Sequence, residues 1–190
     1  LSSSDANCII QDKIGFIWIG TDNGLNRFDG TDFKVYRNNQ NNPNSISDNS
    51  IWSLYEDRSG NIWVGTKGGV LNKYIPALDK YERINLNENK YNENSITAVL
   101  EDREGFIWIG TYSQGLFRYE TGTGKITNWK YDPNNKKGLS NNYISSIMQD
   151  ETGNIWISTY NGLNRLNPQN ISDGFNIFFA SESNKNSISN

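Results

Sequence analysis

The stretch GFIWIGT at Gly15 to Thr21 decides the fold, because it returns as GNIWVGT at Gly60 to Thr66, GFIWIGT at Gly105 to Thr111 and GNIWIST at Gly153 to Thr159. The tryptophans Trp18, Trp63, Trp108 and Trp156 stand 45, 45 and 48 residues apart. Side chains alternate across a strand, so Ile17 and Ile19 share one face and Trp18 takes the other. A strand that is apolar on both faces needs neighbours on both sides, and adjacent repeats supply them. Self-similarity at this period, in segments rich in Ile, Val and Trp, points to four-stranded blades and not to helical repeats.

Each repeat divides into four short strands. The first reads CIIQD (Cys8 to Asp12), SLYED (Ser53 to Asp57), AVLED (Ala98 to Asp102) and SIMQD (Ser146 to Asp150), with a small leading residue suited to a crowded central axis. The IWIG segment is the second. The third carries Leu25-Asn26-Arg27-Phe28, Leu71-Asn72-Lys73-Tyr74, Leu116-Phe117-Arg118-Tyr119 and Leu163-Asn164-Arg165-Leu166. In the fourth, Phe33 pairs with Tyr36, Tyr81 with Ile84, Ile126 with Trp129 and Phe175 with Phe178, a spacing of three that predicts a bulge or strong twist in an outer strand. Between the first two strands lies Asp-x-x-Gly, at Asp12 and Gly15, Asp57 and Gly60, Asp102 and Gly105, and Asp150 and Gly153. Asp at the first position and Gly at the fourth suit a type I turn, the carboxylate bonding amides ahead of it. The expected fold is therefore all-β: an array of four four-stranded antiparallel propeller blades within one module, 1–190, with blades near 1–45, 46–92, 93–138 and 139–186.

Composition narrows the function. A formal charge of −3 and a pI near 5.0 argue against nucleic acid as a partner, since that binding rests on basic surface. No apolar stretch approaches the roughly 20 residues of a membrane-spanning helix, which argues against direct membrane insertion. The single cysteine, Cys8, excludes an internal disulfide and a thiolate cluster. The absence of histidine removes the commonest general base and transition-metal ligand. The aspartates fall singly at turns without calcium-loop spacing, so neither cofactor nor metal is expected.

These residues resemble the two-component regulator propeller repeat, I-x-x-[IL]-x-x-D-x-x-G-x-[IL]-W-[IV]-G-T-x-x-G-L-x-[RK]-[FY], across essentially the whole chain. The resemblance implies an extracytoplasmic, periplasmic or cell-surface sensor region of hybrid histidine kinases, often responsive to glycans. Any kinase activity would then belong to the rest of the sensor polypeptide, since no kinase, receiver or DNA-binding segment accompanies the blades. The module itself is expected to lack catalysis. Ser158 departs from the pattern where the other repeats have Gly20, Gly65 and Gly110. Uncapped blades leave apolar faces at both ends; a tight four-bladed ring would close them, and so would head-to-tail pairing of two chains into an eight-bladed homodimer.

Comparing the repeats separates architecture from positions left free. The recurrent tryptophans read as core. Arg27, Lys73, Arg118 and Arg165 are expected to pair with carboxylates or carbonyls at blade edges. Divergence concentrates in two loops expected to open on one face: after the second strand, at Asp22, Lys67, Tyr112 and Tyr160, and before the first, at Asp5, Ser50, Ser95 and Tyr143. Tyr112, Tyr143 and Tyr160 suit stacking on sugar rings. Trp52 stands out against its counterparts Asn7, Thr97 and Ser145. Asp22, Trp52, Lys67, Tyr112, Tyr143 and Tyr160 are thus the candidate ligand residues, with an oligosaccharide as the expected ligand. A protein-protein assembly scaffold is the alternative. A lyase or glycosidase is a third reading, for which the loops offer only Asp5, Asp22 and the tyrosines.

Overall fold

The computed structural model describes residues 1–86 and 94–180. Among the described residues sixteen strands form four sheets, each a meander in chain order. The first holds β1 (Ala6–Gln11), β2 (Ile17–Thr21), β3 (Gly24–Phe28) and β4 (Phe33–Tyr36). The second holds β5 (Ile51–Glu56), β6 (Ile62–Thr66), β7 (Val70–Ile75) and β8 (Lys80–Asn85). The third holds β9 (Ile96–Glu101), β10 (Phe106–Thr111), β11 (Leu116–Glu120) and β12 (Ile126–Trp129). The fourth holds β13 (Ile144–Gln149), β14 (Ile155–Thr159), β15 (Gly162–Leu166) and β16 (Asn176–Phe178). The chain divides within β9 into two compact units, Leu1–Val99 and Leu100–Asn190.

The turn between the first two strands organises each blade. In the first, Asp12 Oδ1 accepts the amides of Ile14, Gly15 and Phe16 at 3.1, 2.9 and 2.8 Å. Its other oxygen accepts the indole N–H of Trp18 at 2.7 Å. The same bond recurs from Trp63 to Asp57 (2.9 Å), from Trp108 to Asp102 (2.7 Å) and from Trp156 to Asp150 (2.7 Å). One carboxylate therefore caps the turn and satisfies the only polar atom of the largest core side chain, which buried polar groups require. The turn glycines need their identity: Gly15, Gly60, Gly105 and Gly153 all have φ between 80° and 108°, where other residues are strained.

Within each unit the tryptophans anchor the packing. Trp18 lies in a cluster with Leu25, Ile46, Ile51, Leu54 and Tyr74, and stacks on Tyr36 of β4 at 5.7 Å and 23°. In the second unit, Trp108 stacks on Trp129 at 5.5 Å and Trp156 on Phe178 at 5.6 Å. The fourth-strand aromatics thus close over the second-strand tryptophans.

Two expectations are corrected. The third-strand cations lie over rings: Arg27 over Phe16 (4.3 Å) and Trp18 (5.9 Å), Lys73 over Trp63 (5.4 Å), Arg118 over Phe106 (4.4 Å) and Trp108 (5.6 Å), and Arg165 over Trp156 (5.7 Å). The reason is register, since Arg27 is directly opposite Trp18 and Arg118 opposite Trp108, so the cation meets the ring face. The outer strands, moreover, pair regularly, as in Phe28 with Phe33 and Leu25 with Tyr36. The irregularities lie in the innermost strands, between Ala6 and Cys8, Ile51 and Ser53, and Ile144 and Ser146. Trp52 occupies one of these bulges.

Blades meet through glycine. A Cβ on Gly20 would stand 2.7 Å from Ile51 Cγ2 of the following blade, and one on Gly65 would stand 2.5 Å from Ile96 Cγ2. Ile51, Ile96 and Ile144, which lead the first strands of their blades, are fully buried. A second recurring clamp involves buried asparagines of the third strand. Asn26 Oδ1 accepts the Ser2 amide (2.8 Å), Asn72 that of Ser47 (2.9 Å) and Asn164 that of Ser140 (2.9 Å). In each case the amide group of the asparagine also donates to the hydroxyl of that serine.

Candidate ligand site

The candidate residues fall into two groups, one in each unit. In the first, Asp22 follows β2 and Lys67 follows β6, while Ser50 leads into β5. Asp22 Oδ1 accepts the Ser50 hydroxyl at 2.7 Å and the Asn7 amide group at 3.0 Å. These bonds, Ser50 first, and the charge of Lys67 hold the Asp22 carboxyl below its ordinary value. The indole N–H of Trp52 donates to Ser50 Oγ at 3.2 Å, and the Lys67 amide donates to the Ser50 carbonyl at 3.0 Å. Asp22, Trp52 and Lys67 therefore converge on Ser50. Ser50 lies in the loop ahead of β5, and Asn7 and Trp52, at equivalent positions of their strands, are both bulge residues that a β-bulge re-aims. An Asp22 held in its ionised form by two donors is a fixed hydrogen-bond acceptor, and a poor general acid.

In the second unit, Tyr112 follows β10, Tyr143 precedes β13 and Tyr160 follows β14. Three loops bring the rings into one row. Tyr112 and Tyr143 have centroids 4.7 Å apart at 45°, and Tyr143 and Tyr160 lie 6.0 Å apart and nearly parallel at 13°. The Tyr160 amide donates to the Tyr143 carbonyl at 3.0 Å, and the Tyr143 amide to Asn141 Oδ1 at 2.8 Å, so the row is pinned through its backbone. Tyr143 is half-buried, whereas Tyr112 and Tyr160 are 52% and 81% exposed. Large aromatic faces left in water and held in a fixed row form a stacking platform, with phenolic hydroxyls at its edge. A groove of about 570 Å³ lies on the same unit, lined by Tyr131, Lys137, Ser140, Asn161 and Phe175 among others. Asn161, next to Tyr160, is its link to the row.

Repeated four-stranded antiparallel blades around a repeated core define a β-propeller, and the differences between its repeats concentrate in the loops. The repeat assigns it further. Residues 1–23, 45–68, 90–113 and 138–161 match the family described as two component regulator propeller, and the chain belongs to that family. Its fold is similar to the extracellular domains of two putative hybrid two component systems from B. thetaiotaomicron. One has 26% identity and a TM-score of 0.77 over 94% of this chain; the other has 27% identity and a TM-score of 0.73 over 95%. The chain spans 25% and 22% of those two domains. A stretch of 47 residues is 57% identical to histidine kinase P4 of Formosa agariphila, covering 25% of this chain and 3% of that protein. Virginiamycin B lyase from Staphylococcus aureus shares the fold alone, at 18% identity and a TM-score of 0.71 over 97% of this chain and 59% of the lyase. No helix among the described residues is long and apolar enough to cross a membrane.

Proposed function

We propose that this chain is a ligand-sensing, non-catalytic segment of an extracytoplasmic propeller in a two-component sensor, and that it binds an oligosaccharide. The observation that carries the reading is the row Tyr112, Tyr143 and Tyr160. Sugar rings offer patches of C–H groups that pack on aromatic faces, ringed by hydroxyls that need polar partners, and three tyrosines held in sequence match several consecutive residues of a glycan. Asp22, Trp52 and Lys67, gathered on Ser50, provide a second polar and aromatic patch for the same class of ligand. Signalling is assigned to the rest of the sensor polypeptide. The commitment of Asp22 to Asn7 and Ser50 weighs against a glycosidase or lyase, which needs a carboxyl or other group poised to exchange a proton.

The test is a thermal-shift screen of the chain against plant, host and microbial oligosaccharides, followed by calorimetry on Tyr160→Ala and Tyr112→Ala. Ligand at about 100 times its dissociation constant adds roughly 2.7 kcal/mol, hence about 5 to 10 °C for a chain of this size. The expected result is one class of glycan that shifts the wild type and binds each variant at least about tenfold more weakly. A screen without any shift, or a shift that both variants retain in full, refutes the reading.

A further inference from the structure

We propose that the groove next to Tyr160 is a second subsite, which seats an acidic sugar residue of a glycan held on the tyrosine row; this rests on the sensing reading and adds to it the charge of the ligand. The linkers that lead into the second and fourth blades have the same backbone. The amides of Asn42 and Ser45 donate to the carbonyls of Asn39 and Asn42 at 2.9 and 3.1 Å, and those of Asn135 and Gly138 to the carbonyls of Asp132 and Asn135 at 3.0 and 2.9 Å. The outer strand is joined in the same way, by the Tyr81 amide on the Asn44 carbonyl at 2.9 Å and the Phe175 amide on the Lys137 carbonyl at 2.8 Å. Each linker then reaches a buried apolar residue, Ile46 or Leu139, and the serine held by the third-strand asparagine.

The side chain at one outer-strand position differs. Opposite Asn72 stands Arg83, and opposite Asn164 stands Ile177. Arg83 Nε and Nη2 donate to the Ser45 carbonyl at 3.0 and 2.9 Å, and Nη2 also reaches the Ser45 hydroxyl at 3.1 Å and the Ile46 carbonyl at 3.3 Å. The guanidinium is thus a built-in donor for those carbonyls. Their counterparts in the fourth blade belong to Gly138 and Leu139, and Ile177 has no polar hydrogen to offer them. A groove of about 270 Å³ lies along the linker of the second blade and one of about 570 Å³ along that of the fourth. The groove therefore recurs inside the array, and it is larger where the arginine is replaced.

The lining of the larger groove states what fits it. Leu139, Phe175 and Ile177 give it apolar surface, and Lys136, Lys137 and Asp132 give it charge. Asp132 is engaged in its own turn, accepting the Asn134 amide at 2.9 Å. The two lysines stand where the linker of the second blade has Pro43 and Asn44, so these cations are particular to the fourth-blade groove. A sugar supplies what the groove lacks: hydroxyls that donate to carbonyls, a C–H face for Phe175 and Ile177, and, in an acidic sugar, a carboxylate or sulfate for the ammonium groups. A cationic occupant, which would repeat the chemistry of Arg83, meets repulsion from both lysines. Asn161 lines the groove and follows Tyr160 in the same turn, so the groove adjoins the tyrosine row.

Hydrogen exchange of the free chain tests the equivalence of the two linkers. Ile177→Arg should give the fourth blade the donor of the second and slow exchange of the linker amides 132–140 about tenfold, and Arg83→Ile should speed exchange of 39–47 by as much. Calorimetry with matched sugars reads the charge: an oligogalacturonate against its methyl ester, and a sulfated carrageenan oligosaccharide against its desulfated form. At least one acidic member should bind about tenfold more tightly than its neutral twin at low salt, with the advantage shrinking at high salt. Lys136→Gln with Lys137→Gln, both at exposed positions, should bring the acidic member down to the level of its twin, while Tyr160→Ala should weaken both. Linkers whose exchange ignores both substitutions overturn the subsite, and so do acidic and neutral twins that bind alike. The tyrosine row survives either result if Tyr160→Ala still weakens a neutral glycan. Silence from all four sugars also overturns the subsite, and the wider glycan screen then decides the tyrosine row separately.

Discussion

If the aspartate of each turn and the tryptophan of the next strand form one unit, replacing both should cost less than the two replacements add up to. The third blade is the sharpest case, since Asp102 and Trp108 are 1% and 0% exposed. Asp102 Oδ1 accepts the amides of Glu104 and Phe106, each at 3.0 Å, and its other oxygen accepts the indole N–H at 2.7 Å. Asp102→Asn keeps one carbonyl oxygen for the backbone and turns an amide N–H toward the indole N–H, leaving two buried donors face to face. Trp108→Phe instead leaves a buried carboxylate oxygen without its donor and a smaller ring in the site. A buried polar group deprived of its partner costs about 1–3 kcal/mol, more when charged, so each single variant should lose about 2–3 kcal/mol. The double variant removes the indole-to-carboxylate pair and should lose about 3 kcal/mol, a coupling of roughly 1–3 kcal/mol. Urea unfolding of the four proteins, followed by circular dichroism, measures it. Losses that add to within about 0.5 kcal/mol would refute the coupled unit and reduce Asp102 to a turn residue.

Two further perturbations test other contacts. Gly65→Ala forces a methyl against Ser53 Oγ and Ile96 and should cost about 1–3 kcal/mol, whereas Gly122→Ala, with no atom in its way, should stay within about 0.5 kcal/mol; equal urea midpoints would contradict the tight seat. Asp79 is held below its ordinary pKa by the Lys34 ammonium at 2.8 Å and then by the Tyr74 hydroxyl at 2.7 Å. A carboxyl depressed in the folded state contributes stability above about pH 4 that is lost as pH falls through the folded value. Asp79→Asn, which tolerates the left-handed backbone at this position (φ 47°), should flatten the acid side of the stability profile below about pH 4, and an unchanged acid limb would remove Asp79 from the account.

The parts of the molecule legible in the sequence are those fixed by period and alternation. The four strands of each blade follow from the spacing of Trp18, Trp63, Trp108 and Trp156 and from the Asp-x-x-Gly turns. The tyrosine row was legible as loop positions, because equivalent loops of successive blades lie side by side. Directions of side chains were harder to read. The bond from Trp18 to Asp12 left a signal, a constant separation of six residues in all four blades, but its meaning depends on the indole turning its N–H toward the turn. Arg27 and Arg118 were expected to meet carboxylates or carbonyls, because composition cannot show that register sets them opposite a ring. The bulge at Trp52 was misplaced to the outer strand for a similar reason: an aromatic spacing of three is satisfied by strand ends as well as by a bulge, and only the pairing of Ile51 with Thr66 and Ser53 with Gly65 distinguishes them.

The clamp between Asn72 and Ser47, and its equivalents at Asn26 and Asn164, has a consequence for the history of such chains. Serine and asparagine lie 25 residues apart in one case and 24 in the others, and turn aspartate and tryptophan lie six apart. Both partners of each bond fall inside one period. A duplication or deletion of one period of coding sequence therefore inherits or loses these bonds whole and leaves no orphaned half behind. The links from one period to the next are of other kinds, among them the glycine and isoleucine seats, the Lys13 amide on Glu56 and the Ser50 hydroxyl on Asp22. Blade number is thus an easily edited quantity.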